Sequence, residues 1–163
     1  YILEPSCIAR IPPNTKVSIE RDTYPKMIAE RAGVYGYSAK GYWLDLGRAE
    51  QLLSATQAIL SGVVRTATTG LAVGEGTTIA PTTWINGLTA IGKHCRISDE
   101  SRLENCILLD NVTVGNNVRL YGIIVDENVV IEDEVVIAGR GGGSSVPVIS
   151  AGSVLKRGTR LQL

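Results

Sequence analysis

Between Val73 and Ile137 an aliphatic side chain comes back at a near-constant step. Val73, Ile79, Ile85, Ile91, Ile97 and Leu103 are each six residues apart. The series continues through Leu108, Val114, Leu120, Val125, Ile131 and Ile137, with two steps shortened to five. The shortening is itself periodic, because Leu103, Leu120 and Ile137 are seventeen apart, as are Leu108 and Val125, and Val114 and Ile131. A step of six is no multiple of the helical turn, so an α-helix would scatter these side chains around its axis. Six is a multiple of the strand period of two, so a strand-built repeat can aim all of them at one side. Short hexads in phase predict a parallel β-helix.

The intervening residues fit that expectation. Gly74, Gly92 and Gly115 directly follow an aliphatic position, while Asn116-Asn117 and Glu127-Asn128 fall at corners, where the chain often needs positive φ. Val112, Val118, Val129 and Val135 each stand two residues before an aliphatic position and suit a pleated wall. The array resembles the hexapeptide-repeat, left-handed β-helix family, in which three short walls make one triangular coil. The left hand, an exception to the usual right-handed crossover, is implied by the resemblance and not by the spacing.

The 163 residues can bury a good core, as one domain or as an element attached to a larger one. Sixteen basic residues balance sixteen acidic ones, which leaves no electrostatic footprint for nucleic acid or an anionic membrane. No run of eighteen apolar residues and no charged-then-apolar leader occurs, so no spanning or targeting segment is expected. Cys7, Cys95 and Cys106 are odd in number and lack metal-ligand spacing, and read as reduced, mostly buried thiols of a cytoplasmic protein. The chain opens on Tyr1 inside a strand-like stretch with no initiator methionine, as a fragment or a trimmed chain would.

Tyr1-Ile2-Leu3 reads as a short buried strand closed by Glu4-Pro5, and Cys7-Ile8-Ala9 as a turn of helix. Ile11-Pro12-Pro13 must be extended. Asp22 or Thr23 can cap a helix with Pro25 in its first turn, running to about Ala32 with Gly33 beyond its end. The alternating run 34–38 and Tyr42-Trp43-Leu44, joined by Lys40-Gly41, predict two adjacent strands. From Arg48 to Leu60 the period turns helical, with Ala49, Leu52, Leu53, Thr56, Ile59 and Leu60 on one face and Gly62 as the stop. Residues 63–70 read as a threonine-rich linker, and Gly139–Ser145 as a glycine-rich loop. Val148-Ile149 and Val154-Leu155 suggest one more, imperfect coil, with Lys156–Leu163 as a tail covering the open end.

Residues 1–62 resemble the last third of the catalytic domain of the sugar-1-phosphate nucleotidyltransferases. The matching pieces are Tyr1-Ile2-Leu3-Glu4-Pro5, the segment from Val17 to Pro25, Tyr35-Gly36-Tyr37, the segment from Gly41 to Gly47, and the helix ending Ile59-Leu60-Ser61-Gly62. A left-handed β-helix commonly follows at this point in that family, so the resemblance covers essentially the whole chain. The Ser-Ile-Glu-Arg-Asp-Thr-Tyr-Pro segment is most similar to mannose-1-phosphate guanylyltransferases, with thymidylyl- and uridylyltransferases as the other options. The expected fold is mainly β: an incomplete α/β segment over 1–62, a linker over 63–70, a β-helix over 71–155 and the tail 156–163.

In such enzymes a sugar phosphate attacks the α-phosphorus of a nucleoside triphosphate, and Mg²⁺ and cationic or amide donors offset the charge. The resemblance implies that Asp45, beside Gly47, helps hold the metal, paired in the family with an aspartate from the N-terminal region. Asp45 read from its position alone could instead cap the Arg48–Leu60 helix. Glu20 matches a segment on the sugar side of the cleft, or is a solvated charge at a helix start. Lys26 and Lys40 read as surface lysines. The family's Gly-x-Gly-Thr-Arg-Leu phosphate loop has no match here, and Gly139–Gly143 precedes no clear helix. The chain by itself is therefore expected to lack activity, with the β-helix serving homo-oligomerisation. Two alternatives stand beside this: a hexapeptide-repeat acyltransferase, whose general base would have to be His94, and a non-catalytic assembly module.

Overall fold

The computed structural model describes residues 1–139 and 146–162. The chain divides into two compact units, Tyr1–Gly41 and Tyr42–Leu163. The second unit contains a three-sided parallel β-solenoid, the form expected of the left-handed β-helix.

Every side of the solenoid is a five-stranded parallel sheet of two- and three-residue strands. Strand alternation turns one residue of each pair inward. The inward column of the first sheet is Val73, Ile91, Leu108, Val125 and Ile149, in register throughout. The second sheet supplies Ile79, Ile97, Val114, Ile131 and Leu155. Ile85, Leu103, Leu120, Ile137 and Leu161 come from the third. The aliphatic periodicity is thus the core itself, and Leu103, Val114, Leu120, Val125 and Ile137 are fully shielded from water. Val112, Val118, Val129 and Val135 do not lie in the walls. They stand just before the strands, at the corners, where their side chains close the core and are fully buried.

At the corners the chain changes direction within two residues, which requires a left-handed residue. Gly76, His94, Asn111, Asn128 and Gly152 take that conformation at one corner, and Glu100, Asn117, Glu134 and Gly158 at the second. The third corner, turned by Gly87, Asn105 and Gly122, is where the two shortened steps fall. Small side chains directly after the left-handed residue tie successive coils together at each corner. Ser101 Oγ donates to the Gly115 carbonyl at 2.8 Å and accepts from Val118 N–H at 3.0 Å. Cys95 and Cys106 occupy the same kind of place, donating S–H to the carbonyls of Leu109 and Leu120 in the next coil.

All three cysteines are free and buried, as expected. Burial pushes the Cys106 thiol above its ordinary value, partly offset by backbone hydrogen bonds around the sulfur. The unfolded chain therefore releases this proton at lower pH than the native one. Its contribution to stability is complete below the unfolded thiol's pKa and is lost as pH rises toward the folded one. A thiol-specific disulfide reagent at pH 8 is expected to leave Cys106 unlabelled until denaturant is added. Rapid native labelling would contradict this packing.

The outer face of the first sheet is unlike the other two. Ile107 and Ile124, outward in register, are buried beneath Leu53 of helix α3 (Ala49–Leu60), with Ala49, Leu109 and Val146 around them. Both residues of these two strands are buried, the pattern of a sheet covered on both faces. Helix α3 follows the predicted span, although Leu52 is turned partly to solvent.

Several expectations give way. Within the stretch expected to be a covering tail, Lys156–Leu163, residues 156–159 are a corner and Arg160–Gln162 is a strand paired with Val136–Ala138, completing the fifth coil, while residue 163 lies outside the described residues. The glycine-rich run expected to form a loop lies, from residue 140 to 145, outside the described residues.

In the first unit α1 spans Pro5–Ile8 and α2 spans Tyr24–Ala29, three residues short of the predicted end, with Arg31 left-handed just beyond. Neither Asp22 nor Thr23 caps α2 with its side chain. A π-helical turn, Ile19–Thr23, precedes it instead, and Ser18 and Asp22 bracket that turn. Ser18 Oγ accepts from Arg21 N–H at 3.2 Å, and Asp22 Oδ2 accepts from Ser18 N–H at 2.9 Å. The strands predicted for 1–3, 34–38 and 42–44 are irregular stretches without ladder partners among the described residues, and Tyr1, Ile2, Tyr35, Tyr37 and Trp43 are largely exposed. A strand is defined by its neighbours, and an isolated pair is marginal in water.

Candidate functional site

Asp45 is exposed, on an irregular stretch that leads into α3, and not at the end of a buried aromatic strand. The helix cap is Arg48, which makes no side-chain capping bond, so the capping role considered for Asp45 is absent. Its carboxylate turns back toward Gly47. A side chain at position 47 would begin 3.7 Å from Asp45 Oδ2 and 3.8 Å from Gln51 Oε1. Two oxygens thus lie within 4 Å of one point beside Gly47, where a Cβ would make only ordinary contacts, next to the amide-rich start of α3.

Gln51 was not anticipated. Its Oε1 is buried and has no hydrogen-bond partner, the one such side-chain atom among the described residues. An unpartnered buried acceptor is costly. A carboxylate and an amide oxygen with no donor between them suit a hard cation, which takes oxygen ligands. The residues present therefore fit part of a Mg²⁺ site. They do not complete one, since no group of three His, Cys, Asp or Glu side chains is placed to hold a metal among the described residues. Nothing in the sequence marks Gln51, the third residue of α3, because an unpartnered oxygen is a property of packing.

Glu20 sits in the π-helical turn of the first unit, exposed, and accepts a hydrogen bond from the Tyr1 hydroxyl. That bond raises the Tyr1 phenol above its usual value. A cleft of about 500 Å³ in this unit is lined by Arg10, Lys16, Asp22, Lys26 and Glu30 among others, and Glu20 is not part of it. Lys26 and Lys40 are exposed, as read from the sequence.

His94 has a structural assignment. It is left-handed (φ 54°) in the corner column otherwise filled by glycine and asparagine. Gly76, one coil earlier, leaves room for its ring, because a Cβ there would meet His94 Nδ1 at 2.4 Å. We expect His94→Gly to raise stability by up to about 1 kcal/mol, since glycine carries no steric penalty in this region. Urea denaturation measures it, and a loss of stability would mean that the ring has a packing role.

Comparison with known proteins follows this division. Residues 68–162 match the GMPPB C-terminal domain family. The chain is 32% identical over 177 residues to a mannose-1-phosphate guanyltransferase of Schizosaccharomyces pombe, a match covering 90% of this chain and 47% of that protein. It is 28% identical over 120 residues to a mannose-1-phosphate guanylyltransferase of Mycobacterium tuberculosis, covering 70% and 33%. Against the mannose-1-phosphate guanylyltransferase catalytic subunit beta of Drosophila pseudoobscura it is 27% identical, covering 85% and 44%. The chain spans between a third and about half of the length of these relatives.

Proposed function

The chain belongs to the GMPPB C-terminal domain family, and from that premise we propose that it forms the C-terminal part of an enzyme making GDP-mannose from GTP and mannose 1-phosphate. The observation that carries this reading is the reach of the match. The solenoid alone would be shared with acyltransferases, but the fission-yeast relative aligns over 90% of the chain, well into the segment before residue 68. The exposed Ile2, Tyr35, Tyr37 and Trp43 on irregular backbone support it too, as side chains that further strands of an α/β sheet would cover.

In this reading a phosphate oxygen of the sugar phosphate attacks the α-phosphorus of GTP, the bond to the β-phosphate bridge breaks, and pyrophosphate leaves with the electron pair. A bound Mg²⁺ supplies charge neutralisation for such a step. Asp45 would be one ligand, with Gln51 Oε1 turned to the same space and a further carboxylate contributed from outside this chain. Glu20 would lie on the sugar side, held by the Tyr1 hydroxyl. The solenoid would mediate self-association, and the buried free thiols favour a reducing compartment such as the cytoplasm. No helix among the described residues is long and apolar enough to cross a membrane.

Pyrophosphate release tests the proposal. A longer protein carrying these residues should release it from GTP, mannose 1-phosphate and Mg²⁺, and the chain alone should not. Asp45→Asn in that longer protein is expected to lower the rate by about 10²-fold. An unchanged rate would remove Asp45 from the metal site.

A further inference from the structure

A groove of about 570 Å³ runs over the outer face of the third sheet of the solenoid, across its first three rungs, and is lined by Thr82, Trp84, Glu100, Arg102, Asn117 and Arg119 among others. Its size is that of a small-molecule site. Its chemistry is set by the register, which places Trp84 beside Arg102 and Arg102 beside Arg119 on consecutive coils. Parallel strands lie about 4.8 Å apart, so two guanidinium side chains rise from neighbouring rungs with an indole on the next one. Like charges directly opposite on a sheet repel.

Elsewhere on the solenoid two ion pairs bridge successive coils. Glu132 pairs with Lys156 and Glu134 with Arg157 across successive coils. Arg102 and Arg119 take part in no ion pair among the described residues, although Glu100 and Glu104 are close in sequence. Two stacked, unneutralised guanidiniums beside a half-exposed indole (Trp84, 47% exposed) make an arrangement complementary to an anion that carries a flat ring.

We propose that this groove binds a nucleoside diphosphate. The Trp84 indole stacks on the base, and Arg102 and Arg119 take the two phosphates through paired N–H donors. Rung spacing sets Trp84 and Arg119 about 10 Å apart, two steps along the column, with Arg102 between them. The Glu100 carboxylate, which would oppose a bare anion, accepts from a ribose hydroxyl, and the Asn117 amide adds a neutral donor or acceptor. A nucleic acid fits poorly, because the chain has no net charge and the groove offers two cations. The site lies on the solenoid and uses neither Asp45 nor Glu20, so it stands whether or not the proposed reaction does.

Calorimetric titration of the whole chain with GDP, with guanosine and with inorganic pyrophosphate tests it, at low and at physiological salt. GDP should bind one to one and more tightly than either part. Arg102→Gln and Arg119→Gln should each weaken GDP binding by about 10-fold or more, and Arg102→Lys by less, because it keeps the charge but loses the fork. Trp84→Leu should weaken GDP by about 5-fold or more and leave pyrophosphate unchanged. Circular dichroism and urea midpoints establish that each variant is folded, and the Lys variant serves where Gln does not fold. Absence of GDP binding at about 1 mM overturns the proposal. So does binding that ignores both Arg variants, or pyrophosphate binding as tight as GDP, which would make the patch a simple anion site. A change confined to self-association, seen by sedimentation, would assign this wall to contact between copies instead.

Discussion

Leu120→Ala is expected to destabilise the solenoid by about 2–5 kcal/mol, read as a lower urea midpoint. Leu120 is fully buried in the middle coil, with Leu103 on the rung before it and Ile137 on the rung after. Its removal opens a cavity whose walls belong to three coils held in register by backbone hydrogen bonds, such as those from Arg119 N–H to the Val135 carbonyl and Arg102 N–H to the Val118 carbonyl. A wall fixed in this way cannot collapse into the void, so the upper part of the range applies. Leu161 has the same inward register in the last coil but remains 37% exposed. Leu161→Ala should therefore cost about 1 kcal/mol, chiefly the transfer of a partly buried side chain. Similar losses at the two sites would mean that the coils do not form one continuous core. In a quasi-one-dimensional fold the middle rung is also the one whose loss separates the two ends, so the Leu120 variant should broaden the transition as well as lower it.

The core was legible because one physical constraint repeats without interruption: each rung must send one aliphatic residue inward. Val73 to Ile137 could be assigned to the interior from spacing alone, and the fifth coil was visible in part through Val148-Ile149 and Val154-Leu155. Arg160–Gln162 was missed because Arg160 and Gln162 flank a single apolar residue, which reads as a tail until its partner strand is known. Ile107 and Ile124 carried a second signal that hexad counting passes over. They are the two largest neighbours in an outward column of Ala72, Ala90, Ile107, Ile124 and Val148, and their burial marks where α3 lies. Residues 1–47 were less legible for a different reason. Their strand patterns are real as patterns, yet Tyr35, Tyr37 and Trp43 have no ladder to join here, and periodicity does not report whether a partner is present. Asp45 stands out through family resemblance, whereas Gln51 stands out only in the folded structure, because an unpartnered oxygen is a property of packing and not of composition.

Gly92→Ala should cost about 3 kcal/mol or more, a large loss for the addition of one methyl group. The added Cβ would begin 2.7 Å from the Leu109 carbonyl carbon, 2.8 Å from Asp110 N and 2.4 Å from Asp110 Oδ1. Two of these atoms are backbone in the following coil, so no rotamer change relieves the clash. The coils must separate at this corner, and there Gly92 N–H donates to the Leu108 carbonyl at 2.8 Å and Lys93 N–H to Asp110 Oδ1 at 2.7 Å. Gly122 is the informative control. It has φ of 60°, and a Cβ there would meet nothing within 4 Å. Gly122→Ala should thus cost only the left-handed conformation, about 1 kcal/mol after the entropy that alanine restores to the comparison. Trimming the carboxylate separates the two contacts at Gly92. If Asp110→Ala fails to rescue Gly92→Ala, backbone approach between coils is what demands glycine; full rescue would place the constraint on the Asp110 side chain alone. The same comparison at Gly115, where a Cβ would meet Asp133 Oδ1 at 2.6 Å and the Glu132 carbonyl carbon at 2.9 Å, should give the same order. Glycine after the inward residue is then a condition of close coil stacking, separate from the left-handed corners that asparagine can also turn.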